Sequence, residues 1–186
     1  MCQLENLKSQ YPHIPDELWH MLYKLDVSTY NHSLRVCDMC KLVETELNFK
    51  DNTLSQAGLL HDIGKYYISQ NILDKKGTLT SAERRFIDAH AFLSYDTLKQ
   101  FNIADNICDI VLYHHSLKPI LFDHNIKSCD NTMIKEFAII LKTIDVFEAI
   151  TSDRPYHRGV TTDAAIKHIE SITHNQKVLL LLKQNF

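Results

Sequence analysis

Glycine and proline are scarce in this chain, with four of each among 186 residues. A fold of many tight turns, such as an all-β sandwich or barrel, needs more of both. An excess of one charge is missing too: the formal net charge is −3. That gives no general electrostatic case for a nucleic-acid polymer or a membrane surface as partner. Long apolar runs are absent. The longest near the C-terminus, Val178 to Leu182, is far too short to span a bilayer. The N-terminus carries Glu5 and Lys8 without an apolar core, and does not read as a signal peptide. Repeats, low-complexity tracts and Pro/Gly/Ser linkers are lacking as well. The five cysteines (2, 37, 40, 108 and 129) are odd in number and scattered, which suggests reduced thiols and a cytoplasmic protein. Cys37 and Cys40 form a C-x-x-C with no second pair, and read as two buried helix thiols.

What is present is helical periodicity. A hydrophobic content of 45% is enough for one packed core, and the length is too short for two typical domains. Pro15 and Asp16 open a short helix with Leu18, Trp19, Leu22 and Leu25. Ser28 or Thr29 can cap the next, whose apolar positions Leu34, Val36, Met39, Val43 and Leu47 recur at helical spacing. Leu54 to Lys65 reads as one buried helix. Residues 66–78 read as a connection with a short turn near Ser69, and Gly77 as its breaker. Thr80 with Glu83 fits a capping box, opening a helix to about Lys99. Further helices are expected over Ala104 to His114, Thr132 to Thr151 and Thr161 or Thr162 to about Ile172, with a last one closing the chain. Ser116 to Asn131 is the best loop candidate, and Arg154-Pro155-Tyr156 is expected to break the helix before it. The expected fold is an all-α, single-domain helical bundle.

Eleven histidines is a high number, and they are not evenly placed. His32 lies near the start of the second helix, the adjacent pair His61-Asp62 near the end of the third. His90 follows the connection, His114-His115 ends the next helix, and Asp145 sits inside Ile144-Asp145-Val146-Phe147. Successive helices thus each contribute one or two ligand-type side chains, and a bundle interior can bring such positions together. A carboxylate among apolar neighbours is expensive to bury unpaired, so Asp145 calls for a partner or a metal. Taken singly, each position has a plainer reading: a solvated helix end for His114-His115, a structural role for His90, a partly exposed Asp145.

Together these residues resemble a known family. His61-Asp62-Ile63-Gly64-Lys65 is similar to the signature of the HD-domain metal-dependent phosphohydrolases, and closest to their HD-GYP branch. The resemblance includes Asn31-His32-Ser33-Leu34-Arg35-Val36, the run Ile72 to Thr80, His90, His114-His115, and Asp145 through Tyr156. It runs from about residue 28 to about residue 170, in family order. It implies an HD-GYP-like domain over 28–186 behind an N-terminal helical extension, 1–27. It departs in three places. His115 is followed by Ser116-Leu117-Lys118-Pro119, and the Gly-Tyr-Pro element is absent. Ser28 stands where some relatives carry a Glu for a third metal. Glu148 stands where a second Asp is usual.

The resemblance implies two divalent transition metal ions, from Fe, Mn, Zn, Co or Ni. One would be held by His32, His61, Asp62 and Asp145. The other would be held by Asp62, His90, His114 and His115, with Asp62 bridging and catalytic. Lys65 is the second implied catalytic residue, for a phosphate oxygen or the attacking water; its plain reading is a surface lysine at a helix C-terminus. Arg154, Arg158 and Lys118 are candidates for substrate phosphates. The implied function is metal-dependent hydrolysis of a phosphoester in a phosphorylated small molecule, a nucleotide or cyclic dinucleotide. A nucleotide-binding or signalling module with weak or no catalysis is the alternative, and a metal-free helical domain is the third possibility.

Overall fold

The computed structural model describes residues 3–117, 128–153, 158–173 and 175–186. Among them every regular element is helical: α1 (Gln3–Gln10), α2 (Asp16–Lys24), α3 (Val27–Glu46), α4 (Thr53–Leu60), α5 (Gln70–Leu73), α6 (Ser81–Asp88), α7 (His90–Gln100), α8 (Asp105–Tyr113), α9 (Thr132–Thr151), α10 (Thr162–Ile169) and α11 (Gln176–Asn185). A 3₁₀ turn, Ile63–Tyr67, follows α4. The all-α expectation holds. No helix is long and apolar enough to cross a membrane.

With glycine scarce, asparagine supplies the left-handed backbone positions. Asn48 (φ 58°) ends α3 and Asn102 (φ 54°) ends α7. In each case the next amide reaches back five residues: Phe49 N–H to Glu44 O at 2.8 Å, and Ile103 N–H to Leu98 O at 3.0 Å. Both are Schellman closures with an apolar residue just beyond the asparagine. Asn52 (φ 50°) precedes α4 without capping it. That role passes to Glu44 of α3, whose carboxylate accepts from Leu54 N–H at 2.7 Å and Ser55 N–H at 3.1 Å.

One buried cluster joins Leu18 and Leu22 of α2, Val36 and Val43 of α3, Leu54 and Leu59 of α4, Ile110 of α8, and Leu141, Ile144 and Phe147 of α9. Each large apolar side chain so buried contributes about 1.5–3 kcal/mol. Leu7, Tyr11 and Ile14 join the same cluster. The two C-x-x-C thiols, Cys37 and Cys40, are buried inside α3. Helix α3 packs on α4, α4 on α8, and α9 on both α3 and α8, while α7 packs on α8 and on the 3₁₀ turn. The α3–α4 crossing is close: a Cβ on Gly58 would lie 2.9 Å from the Cys40 sulfur.

Four boundaries differ from the sequence expectation. Asp26, not Ser28 or Thr29, caps α3, its carboxylate accepting from Thr29 N–H at 3.0 Å; Ser28 and Thr29 are already helical. The stretch Leu54 to Lys65 is not one helix. The α-helix stops at Leu60, Asp62 leaves the helical region (φ −100°, ψ 4°), and the chain tightens into the 3₁₀ turn. The helix expected from Thr80 to Lys99 begins with its capping box in place but divides at Ala89 into α6 and α7. Helix α10 stops at Ile169, and Ile172 N–H bonds the Ile169 carbonyl at 2.8 Å in a final turn. Most of the expected loop 116–131, and the break at Arg154-Pro155-Tyr156, lie outside the described residues.

Candidate metal centre

Three of the inward histidines sit at or beside a helix terminus. His61 follows α4, His90 opens α7 and His114 follows α8. Each turns its ring back on the local backbone. His61 Nδ1–H donates to Gly58 O at 2.8 Å, His90 Nδ1–H to Ile87 O at 2.6 Å, and His114 Nδ1–H to Val111 O at 2.6 Å. The acceptor is in every case the carbonyl three residues back. A carbonyl can only accept, so Nδ1 carries the proton and Nε2 is left bare. His32, inside α3, is held differently, its Nδ1–H donating to the Glu148 carboxylate of α9.

The Nε2 atoms converge. His32 Nε2 lies 3.0 Å from Asp145 Oδ1 and 3.8 Å from Asp62 Oδ2. His61 Nε2 lies 3.4 Å from Asp62 Oδ2 and 3.8 Å from Asp145 Oδ1. On the other side, His90 Nε2 lies 3.4 Å from Asp62 Oδ1 and 2.9 Å from His115 Nε2. The two oxygens of Asp62 therefore face different sets. Oδ2 faces His32 and His61, and Oδ1 faces His90. Lys65, three residues on, donates from Nζ to Asp62 Oδ2 at 2.7 Å.

The electrostatics follow from this packing. Burial opposes charge on Asp62, yet Lys65 and the neighbouring imidazoles hold its carboxyl well below the usual carboxylate range. Burial likewise opposes charge on Asp145, but His32 and His61 hold it down. Burial pushes His90 down to about 4 and His114 well below the ordinary imidazole value, so both are neutral donors. His32 is the exception. Burial lowers it, but Asp145 and Glu148 outweigh that and raise it to about 9.

Whether these residues fit a metal turns on the atoms left without partners. His61 Nε2 and His114 Nε2 are fully buried and make no hydrogen bond. A buried polar atom without a partner needs an explanation, and a cation supplies one. Three donor groupings are compact enough for an ion: His32/His61/Asp62, His90/His114/His115 and His61/His114/Asp145, each with ligand atoms within 4.8 Å of one another. Imidazole nitrogens with carboxylate oxygens are the donor set of divalent transition metals. The residues fit.

The family model described as HD domain matches residues 29–150. The chain belongs to the HD domain family. Over 150 residues this HD domain is 31% identical to a 3′3′-cGAMP-specific phosphodiesterase of Vibrio cholerae, covering 78% of this chain and 32% of the relative. It is 30% identical over 149 residues to a cyclic di-GMP phosphodiesterase of Pseudomonas aeruginosa, covering 77% of this chain and 35% of the relative. The chain thus spans about a third of the length of these curated relatives. The HD domain of the phosphodiesterase PgpH from L. monocytogenes, solved in complex with cyclic-di-AMP, superposes with a TM-score of 0.65 at 18% identity, covering 90% of this chain and 92% of that one. The fold is therefore shared. These relatives agree with the resemblance to the HD-GYP branch.

All seven residues expected to ligate metal lie in this one HD-domain cluster, and Lys65 touches it through Asp62. Of the substrate-contact candidates, Arg158 is exposed, while Lys118 and Arg154 lie outside the described residues. Sequence reasoning passed over the supports. Glu148 was noted only as a departure, yet it holds His32. Its signal was its spacing, three residues after Asp145 and so on the same helix face. Ser94 was missed altogether. Its hydroxyl donates to His61 O at 2.7 Å and accepts Gly64 N–H at 2.8 Å, tying α7 to the 3₁₀ turn.

Proposed function

We propose that this chain is a metal-dependent phosphodiesterase domain that hydrolyses a phosphoester of a cyclic dinucleotide, using two divalent transition metal ions. The observation that carries it is the convergence of bare, anchored Nε2 atoms on the two oxygens of a single buried carboxylate, Asp62. His32, His61, Asp62 and Asp145 would hold one ion, and Asp62, His90, His114 and His115 the other. When bound, such a pair lowers the pKa of a water and neutralises charge on the phosphoryl group. The relatives named as cyclic dinucleotide phosphodiesterases support the substrate class.

The chain's own residues divide the remaining work. The Nδ1 anchors fix the imidazole tautomers before any ligand arrives, so no reorganisation is needed later. Lys65 places a cation beside Asp62 Oδ2, where it can meet a phosphoryl oxygen or hold a water. Arg158, with Lys118 and Arg154, is the candidate for the non-reacting phosphate.

The test is turnover after metal stripping and reconstitution. Cyclic di-GMP, 3′3′-cGAMP, cyclic di-AMP and mononucleotides are offered with Mn, Fe, Co, Ni or Zn. Cleavage of a cyclic dinucleotide that depends on added metal is expected. Tight binding without turnover by the metal-loaded chain would instead establish the signalling-module reading. Neither binding nor turnover in a folded, two-metal protein would remove the cyclic dinucleotide class.

A further inference from the structure

Three of the four anchored imidazoles are held by their own local backbone, through the carbonyl three residues back. His32 is held across the molecule, by a side chain 116 positions away. That side chain, Glu148, has a fully buried carboxylate. A buried carboxylate is costly unless its lone pairs are satisfied. Here one oxygen, Oε2, takes His32 Nδ1, and the other, Oε1, takes Arg35 Nε and the Ser152 hydroxyl. Arg35 lies three residues after His32 on α3, and Ser152 four after Glu148 at the end of α9, so the network straps these two helices together.

We infer that Glu148 is a positioning residue for His32, and that its charge sets the affinity of the His32 half of the centre for a divalent cation. The inference rests on the two-cation reading above. A carboxylate on Nδ1 fixes the tautomer, aims Nε2 and strengthens the imidazole as a donor. A main-chain carbonyl does the first two and far less of the third. Arg35 and Ser152 keep Glu148 from swinging away, so the brace acts through geometry as well as charge. Asp145, one helical turn earlier on α9, contributes its oxygen to the same half. One face of one helix thus supplies both an oxygen donor and the brace for an imidazole donor.

The test is a titration of the metal-stripped full chain with Co(II), followed by calorimetry and visible absorption. Two uptake steps are expected for the wild type. His115→Ala should remove one of them, which identifies the step belonging to the His90 half. Glu148→Gln keeps the size and loses the charge. It should weaken the His32-half step by about 10–100-fold, the usual effect of losing such a partner, and leave the other step unchanged. Arg35→Met should move the same step in the same direction by a smaller factor. An unchanged His32-half step in folded Glu148→Gln overturns the inference. Equal weakening of both steps also overturns it, because Glu148 would then support the fold rather than His32. If Glu148→Gln does not fold, Arg35→Met decides alone, since that residue is half-exposed. A wild-type chain taking up one equivalent in the His32 half removes the two-cation reading, and Glu148 is then judged on that single step. No uptake at all removes both.

Discussion

On the proposed assignment the two halves of the centre share Asp62 and differ in their other donors. The His32 half adds a second carboxylate, Asp145, and sets a third, Glu148, behind its imidazole. The His90 half adds only imidazoles, and two of these, His90 and His114, are driven neutral by burial. Its third, His115, just after α8, is more exposed, though burial lowers it too. Its backbone is tethered by Lys142, whose Nζ donates to the His115 carbonyl at 3.1 Å, and its ring by His90. The lesson is that a shared bridge does not make equal sites. Under the proposed reading the carboxylate half is the tighter and harder site, and the imidazole half the weaker and softer one.

Breaking the bridge should have the largest effect. Asp62→Ala removes an oxygen from each half and leaves Lys65 without its partner. Metal uptake should fall below one equivalent, and turnover to the uncatalysed background, measured by metal analysis and by the hydrolysis screen. An Asp62→Ala protein that keeps two equivalents would show that the halves are independent.

Removing one ligand from each half should have the next effect, and an unequal one. His32→Ala should abolish the tight step, and His115→Ala the weak one. Dialysis against decreasing free metal, with stoichiometry read at each stage, distinguishes them. His115→Ala should still retain about one equivalent where His32→Ala retains less. The reverse order would place the tight site in the imidazole half.

Much of this centre was legible in the sequence because ligand types are rare in helix interiors and cannot hide. Asp145 among Ile144, Val146 and Phe147 stood out, and it pairs with His32. Helix α9 was legible in full, since its expected bounds, Thr132 and Thr151, are the observed ones and its apolar face is continuous. The breaks at Asp62 and Ala89 were not. Propensity reads Leu54 to Lys65 and Thr80 to Lys99 as uninterrupted helix. The first answers a tertiary demand, since Gly64 must touch α7; the second accompanies a local one, His90 turning its ring to Ile87 O. Ser94 was illegible for a related reason, and Glu148 offered only its spacing from Asp145. A support is defined by what it holds, and that is a matter of packing rather than of residue type.

Gly64 gives the smallest and most selective test of the comparison. A Cβ there would lie 2.4 Å from His90 O and 2.4 Å from Ser94 N. Both are backbone atoms, so no side chain can rotate aside, and the 3₁₀ turn and α7 must separate. The bond from Gly64 N–H to Ser94 Oγ lies in the path of that separation. Gly64→Ala should therefore cost about 1–3 kcal/mol of stability, the usual range for overpacking. At about 2–4 °C per kcal/mol for a chain of this size, the melting temperature should fall by several degrees. The same displacement carries His90 away from Asp62 Oδ1, now 3.4 Å distant, while His32 and Asp145 stand on α3 and α9 and are not pushed. Asp62 and His61, next to the turn, are shared or nearby, so the weak metal step should weaken more than the tight one, which keeps His32 and Asp145 in place. If Gly64→Ala lowers the melting temperature and shifts both steps alike, the halves are mechanically one unit, and their difference is chemical only.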